Sequence, residues 1–260
     1  MPARHDYRQQ AARYDRTRGA SPSIMRPLRA ALGRPGERLL DAAGGTGNYA
    51  TAMRDEGWES VTVVDLSVEM LMRARRKDLQ VVRADAAQLP VADACVDAVM
   101  IVSALHLVTS WRDAIADAKR VLKPGGRLAI MDYSRECLDV HWILEYFPRA
   151  RAAIVPHHIP SGEILAALPG ATQTTFEFTD LVDASMSALC RFPRKILDPA
   201  FRMQTSFFEQ LERTDPQEAA EGLHRLERDL DMGRAPEAGV AAERSRYGDG
   251  VVYGWTQPAV

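Results

Sequence analysis

The chain predicts an α/β fold built on a parallel, doubly wound sheet, and three observations carry that expectation. Leu39-Leu40-Asp41-Ala42-Ala43-Gly44-Gly45-Thr46-Gly47-Asn48-Tyr49-Ala50 passes from a buried strand into a glycine-rich turn and then a helix. Short apolar runs follow at Val61–Val64, Val81–Val82, Val96–Val102 and Arg127–Met131, with helical stripes between most of them. Three strand ends lie at or near an aspartate: Asp41, Asp65 and Asp85. Crossovers in such sheets are right-handed, and ligands bind outside the carboxyl ends of the strands where strand order reverses. One edge therefore collects the Gly44–Gly47 turn, Asp65, Asp85 and the residues after Val102.

Each element has a local cause. Tyr7, Ala11 and Tyr14 share one face of an N-terminal helix, which Tyr14–Gly19 breaks. A second helix over Ile24–Leu32 ends at Gly33, with Pro35-Gly36 as its stop. Arg38–Ala42 is the first strand, and the helix after the glycine turn runs to about Glu56. Val61–Val64, β-branched and buried on both faces, ends at Asp65. Ser67 caps the next helix, whose inward stripe is Met70, Leu71 and Ala74. The third strand ends near Asp85, and the fourth has Asp97 near its start. Ser110 caps a helix with Asp113 in the box position and Trp111, Ala114, Ile115, Ala118, Val121 and Leu122 on its buried face. Lys123-Pro124-Gly125-Gly126 then turns into the fifth strand. Beyond Met131, helical pieces near Val140–Tyr146 and Ser161–Leu168 are punctuated by Pro148, Pro156 and Pro160. Thr172–Phe178 alternates as a half-exposed strand, and Val251–Trp255 reads as the last one. A long helical insertion separates these two. In it, Asp198-Pro199 and Asp215-Pro216 each set a cap before a proline at the first helical position. The second also has Glu218 in the box position and an apolar stripe of Ala219, Leu223, Leu226 and Leu230.

The 260 residues, 46% of them hydrophobic, suffice for one well-buried domain with elaborations. A formal net charge of −2 gives no global pull toward nucleic acid or anionic lipid. The Arg73, Arg75, Arg76 and Lys77 cluster is expected to be the solvated C-terminal end of a helix. Cys95, Cys137 and Cys190 form no CxxC pair, so reduced thiols in a cytosol are the simplest account. No apolar run is long enough to cross a bilayer, and the start carries no apolar signal region. A cytoplasmic protein with a small-molecule substrate and no nucleic-acid or membrane partner is expected.

A nicotinamide cofactor is the rival ligand. Gly45-Thr46-Gly47-Asn48-Tyr49-Ala50 fits GxGxxG/A, and Asp65 lies a suitable distance on. Against it, Asp41 beside the glycine turn is an unhelpful charge near a pyrophosphate but a good partner for an ammonium. Asp85 offers a further carboxylate suited to an adenine amino group. The Pro124-Gly125-Gly126 turn is nothing that dinucleotide binding requires.

Asp41 to Gly47, Val64-Asp65-Leu66-Ser67, Ala84-Asp85-Ala86 and Val121-Leu122-Lys123-Pro124-Gly125-Gly126-Arg127-Leu128 together resemble the motif series of class I S-adenosylmethionine-dependent methyltransferases of the small-molecule type. The resemblance covers roughly Tyr14 to Asp132. It implies a Rossmann-like seven-stranded sheet whose last strand pair is antiparallel, formed by Thr172–Phe178 and Val251–Trp255. Residues 1–36 would then be N-terminal helices forming a lid, 37–133 the cofactor-binding core, and 134–260 substrate-side helices with the last two strands. The family pattern usually has glycine where Ala43 stands, which a methyl group tolerates if φ is negative.

Carried over by residue, the resemblance implies S-adenosylmethionine as cofactor, with the backbone from Ala43 through Gly44 and Gly45 to Gly47 against its methionine moiety. Asp41 would face the ammonium. Asp65 would accept from the ribose hydroxyls, Asp85 and the Ala86 N–H would read adenine, and Leu66 and Met70 would pack on it. Ser103 would add a backbone contact and Tyr14 would close from above. Methyl transfer requires a general base only where the nucleophile must lose a proton. His106, just past the fourth strand, is the first candidate and His141 the second. His157 and His158 either line the cavity or sit exposed in a loop. No carboxylate–histidine set shows metal-ligand spacing, so no metal is expected. The expected activity is methyl transfer to a small molecule, oxygen slightly ahead of nitrogen or carbon. An NAD(P)-dependent oxidoreductase and a non-catalytic binding protein of the same fold remain as alternatives. The helical insertion leaves room for a homo-oligomer.

Overall fold

The computed structural model describes residues 14–236 and 241–259. Tyr7 and Ala11, the start of the expected N-terminal helix, lie outside these residues, and Tyr14–Thr17 are helical. Helix α1 (Pro22–Leu32) is capped by Ser21, whose hydroxyl accepts from the Ser23 N–H at 3.2 Å, and ends at Gly33 with φ 75°. There follow β1 (Arg38–Ala42), α2 (Asn48–Asp55), β2 (Ser60–Asp65), α3 (Val68–Arg75), β3 (Gln80–Arg83) and β4 (Val96–Val102). Next come α4 (Trp111–Val121), β5 (Leu122–Asp132), α5 (Arg135–Asp139), α6 (Pro148–Ile154) and α7 (Ser161–Ala167). After β6 (Thr172–Phe176) the chain forms α8 (Met186–Leu189), α9 (Pro199–Arg202), α10 (Ser206–Thr214), α11 (Pro216–Asp231) and α12 (Ala241–Tyr247), and closes with β7 (Gly250–Thr256).

The seven strands lie in the order β3-β2-β1-β4-β5-β7-β6. β1 to β5 are mutually parallel, and β7 runs antiparallel to both β5 and β6. Strand order reverses between β1 and β4, so the switch point lies directly above the glycine turn. Side chains alternate between the two faces of the sheet, as the pleat requires. Leu39, Met100 and Ala129 meet α1, α2 and α3, while Leu40, Val99, Ile101, Leu128 and Ile130 meet α4 and α7. A third core, of Trp142, Phe147, Leu189, Phe208 and Leu226, belongs to the helical layer. That layer draws on the segment before β6 as well as the expected insertion between β6 and β7. No helix among the described residues is long and apolar enough to cross a membrane.

Three local expectations change. β5 begins at Leu122 rather than Arg127, because Val96 pairs with Leu122 and the Pro124–Gly126 turn is a bulge within the strand. The Ser110 hydroxyl makes no backbone cap and is spent on the Asp113 carboxylate at 2.5 Å. The expected helix near Val140–Tyr146 is a 3-10 turn over Trp142–Glu145, preceded by α5, which Ser134 caps through the Cys137 N–H at 3.2 Å.

Candidate active site

The turn after β1 is shaped by close approach. A side chain on Gly44 would strike the Asp41 carboxyl carbon at 2.4 Å, whereas nothing lies within 4 Å of where one would project from Gly45. Gly45 thus opens onto free space at the carboxyl edge. Ala43 has φ 58°, so the condition under which its methyl group was expected to fit is not met and the residue sits in the left-handed region.

Asp41 is 1% exposed and neither carboxylate oxygen makes a regular hydrogen bond. Burial and the neighbouring Asp65 charge push its pKa up to about 8, eased only in part by the Ala50 N–H. A buried, unpartnered carboxylate next to an open glycine turn fits a ligand that brings its own cation. Asp65 accepts from the Gly45 N–H at 2.9 Å through Oδ2 and from the Ser67 N–H at 2.8 Å through Oδ1. Burial still raises its pKa against these bonds. Each oxygen keeps a lone pair for a ligand hydroxyl. Leu66 is 58% exposed and free to cover a ligand, while Met70 is buried. Half-buried Asp85 accepts from the Ala87 N–H at 2.9 Å, with Ala86 buried between them. Ser103, at φ 52°, donates its N–H to the Met131 carbonyl at 2.8 Å. The residues assigned to the cofactor therefore share one edge. The clefts beside Arg127 and Trp255 and beside Pro35 and Trp58 lie at the opposite, amino ends of the strands.

Tyr14 lies near this edge, close enough for Asp41 and Asp65 to act on its hydroxyl. Burial raises the pKa of its hydroxyl, with Arg18 easing it and Asp183, Asp65 and Asp41 adding to it. The segment around it is laced down on both sides. Arg18 pairs with Asp183 at 2.7 Å, the Gly19 N–H donates to the Val182 carbonyl at 2.8 Å and the Ala184 N–H to that of Thr17 at 2.7 Å. Lys77 reaches Asp15 at 2.8 Å, the Thr46 carbonyl at 2.8 Å and Asn48 at 2.5 Å. Arg73 stands 3.6 Å from Asp15. The basic cluster expected to be a solvated helix end thus supplies two cations that pin this strap to the glycine turn. Sequence spacing gives no sign of this, because Lys77 and Asp15 are 62 residues apart.

His106 is set on the same edge by the 3-10 turn Leu105–Leu107. Its Nδ1 bonds Asp132 Oδ1 at 2.7 Å, and its backbone N–H reaches Oδ2 at 3.2 Å. Burial would raise the Asp132 pKa, but the His106 charge and hydrogen bond, with His158 and the Tyr133 N–H, outweigh it and hold the carboxyl below the usual range. Asp132 ends β5, and the end of a parallel strand is the signal that could have found it. β1, β4 and β5 are successive neighbours, so two strand spacings, about 10 Å, separate this carboxylate from the glycine turn. His158 lies against His106, and one ligand atom from each of His106, Asp132 and His158 falls within 4.8 Å of the others. Sequence spacing showed no carboxylate–histidine set, and it does not reveal this one, because the three residues converge from different elements. His157 is exposed. His141 is 4% exposed, bonded to Ser187 at 3.1 Å and stacked on Trp142, and burial pushes its pKa down to about 3. It is not part of the His106 cluster.

Residues 40–130 match the family model described as a methyltransferase domain. The chain is 38% identical over 124 residues to a demethylmenaquinone methyltransferase of Renibacterium salmoninarum, covering 46% of this chain and 52% of that protein. It is 40% identical over 111 residues to the ubiquinone/menaquinone biosynthesis C-methyltransferase UbiE of Paracoccus denitrificans, covering 39% and 44%. The chain thus spans about half the length of the curated relatives it matches. A putative methyltransferase from an antibiotic biosynthesis pathway of Anabaena variabilis superimposes with a TM-score of 0.72 at 21% identity, over 92% of this chain and 98% of that one. Such relatives do not support the expected preference for oxygen, since C-methyltransferases stand among them. Over residues 40–130 the chain is thus similar to methyltransferase domains of the class I S-adenosylmethionine-dependent type, and it sets this stretch in a Rossmann-like seven-stranded sheet.

Proposed function

We propose that the protein transfers a methyl group from S-adenosylmethionine to a hydroxyl-bearing small molecule, with His106 as general base. The observation that carries the reading is the pairing, on one sheet edge, of an unpartnered buried Asp41 with a His106–Asp132 dyad. The bound cofactor supplies an electrophilic methyl on a sulfonium. The chain's own part is to hold, orient and deprotonate. Asp41 and the Ser103 carbonyl take the ammonium, Asp65 the ribose hydroxyls, and Asp85 with the Ala86 N–H the adenine. His106 Nε2 accepts the acceptor's hydroxyl proton, and the resulting imidazolium is steadied by ionised Asp132. The deprotonated acceptor would be held as a nucleophile, at oxygen or through conjugation at a ring carbon, for the methyl group that the bound cofactor would supply. The names of the relatives make an activated ring carbon the first acceptor to try.

In this reading the strap around Tyr14 covers the cofactor and the helical layer covers the acceptor. Buried and bonded to Ser187, His141 belongs in this reading to the wall of that layer rather than to the chemistry. Association through the helical layer belongs to the same proposal, and sedimentation velocity tests it. Calorimetry with S-adenosylmethionine, NAD and NADP tests the cofactor; binding of a nicotinamide cofactor alone would sink the reading. Asp65→Ala is expected to abolish cofactor binding. His106→Ala is expected to lower turnover of labelled cofactor by about 10²–10⁴-fold with its affinity little changed, and full activity would remove His106 from the mechanism.

A further inference from the structure

The acceptor side holds a second imidazole that general-base chemistry leaves unused. His106 and His158 stack with ring centroids 4.4 Å apart and planes 24° from parallel. Each is fixed through Nδ1, His106 to the Asp132 carboxylate at 2.7 Å and His158 to the Tyr133 carbonyl at 2.8 Å. A carbonyl only accepts, so His158 Nδ1 carries the hydrogen. Burial, then the neighbouring His106, push the His158 pKa down to about 4. The ring is therefore neutral near pH 7 and its Nε2 is a bare acceptor. In the tautomer that gives its Nδ1–H to the Asp132 carboxylate, His106 likewise leaves Nε2 as an acceptor. In an imidazole the two nitrogens point to nearly opposite sides. Both Nε2 atoms thus turn away from Asp132-Tyr133. Among the described residues neither has a hydrogen-bond partner, and neither is a fully buried, unpartnered atom like the Nδ1 of His141.

We propose that His158 is a second recognition residue of the acceptor site, and that the site takes a ring or enolic acceptor bearing two hydroxyl groups on one edge. This rests on the methyl-transfer reading. One hydroxyl gives its proton to His106 Nε2 and the other donates a hydrogen bond to His158 Nε2. A bidentate edge of this kind rejects analogues that leave one imidazole unpaired. Two acceptor nitrogens suit two separate donors. The Asp132 oxygens are already engaged by the His106 Nδ1–H, the His106 N–H and the Tyr133 N–H.

The test is an NMR titration of the full chain, with and without S-adenosylhomocysteine, by phenol, catechol and resorcinol, reading affinity and the histidine Nε2 shifts. At least one dihydroxybenzene is expected to bind about tenfold tighter than phenol and to move both the His106 and His158 Nε2 signals. His158→Phe, which keeps a stacked ring, is expected to bind all three alike while its S-adenosylhomocysteine affinity is unchanged. Equal affinities in the parent, no binding of any probe, or a preference that survives in His158→Phe would each overturn the proposal. So would a preference that appears only with added zinc and vanishes with EDTA, which would make the cluster a metal site. Failure of S-adenosylhomocysteine itself to bind tells against the methyl-transfer reading and is seen separately, because the phenol comparison is also run without it.

Discussion

Ala43 occupies a backbone position that glycine would take more comfortably. A left-handed φ of 58° costs an alanine about 1–2 kcal/mol, and glycine would restore about 0.5–1 kcal/mol of unfolded-state entropy. Ala43→Gly is therefore expected to stabilise the protein by up to about 1 kcal/mol in urea denaturation; a loss would show that the methyl group makes a compensating contact. Asp41 behaves differently, because its penalty depends on pH. Its folded pKa of about 8 stands far above the unfolded value of about 3.9. Between the two the folded state keeps a proton that the unfolded chain has released, so stability falls as pH rises from about 4 to 8. Asp41→Asn removes this slope. The variant is expected to be more stable than the parent at pH 8 and to lose that advantage near pH 4, as read by denaturation at both values. An ammonium brought by a ligand favours the ionised carboxylate. S-adenosylhomocysteine binding at pH 7 is accordingly expected to release a proton from the parent and none from the variant, measured by calorimetry in buffers of different ionisation enthalpy.

Helix α11 shows how far local signals reach. Its start was legible, since the Asp215 Oδ1 accepts the Glu218 N–H at 2.9 Å beneath Pro216. Glu218 stands in the box position, but its carboxylate does not turn back to its own cap. It is 2% exposed and accepts the Arg149 N–H at 2.5 Å and the Ala150 N–H at 2.9 Å, closing the first turn of α6. One helix therefore satisfies the free donors of another, which ties the segments before and after β6 into one layer. Glu218→Ala removes two charge-assisted bonds from these partly buried donors and is expected to cost about 1–3 kcal/mol in urea denaturation. Cofactor affinity should stay as it was, and a large loss would show that the helical layer is coupled to the glycine turn. The periodicity of α11 was readable because it is a property of neighbouring residues. Its partner helix was not, because no residue spacing encodes which N-terminus a glutamate will meet.

At the scale of the molecule, the strap over the glycine turn joins the two halves. Lys77 holds it from the cofactor side through Asp15, and Asp183 holds it from the helical side through Arg18. Lys77→Met removes charge-assisted bonds worth about 1.5–3 kcal/mol, so S-adenosylhomocysteine affinity is expected to fall about tenfold or more. Trypsin should then cut faster at Arg16 and Arg18, and a variant with unaltered affinity and cleavage would show that the strap does not cover the ligand.

The sheet, the glycine turn, the aspartates of β1 and β2 with the one just beyond β3, and the methyltransferase motifs were determined by the sequence alone. Each rests on residues within a few positions of one another, where alternation, caps and turn chemistry act. The dyad was only half visible: His106 stood out after β4, whereas Asp132, 26 residues further on, looked like the end of a strand. Only the tertiary structure decided that β4 and β5 are neighbours, that a proline-flanked loop brings His158 onto His106, and that Lys77 turns inward. Those pairings are set by strand order and by packing of distant segments, and the free energy that selects them is spread over contacts that no local pattern contains.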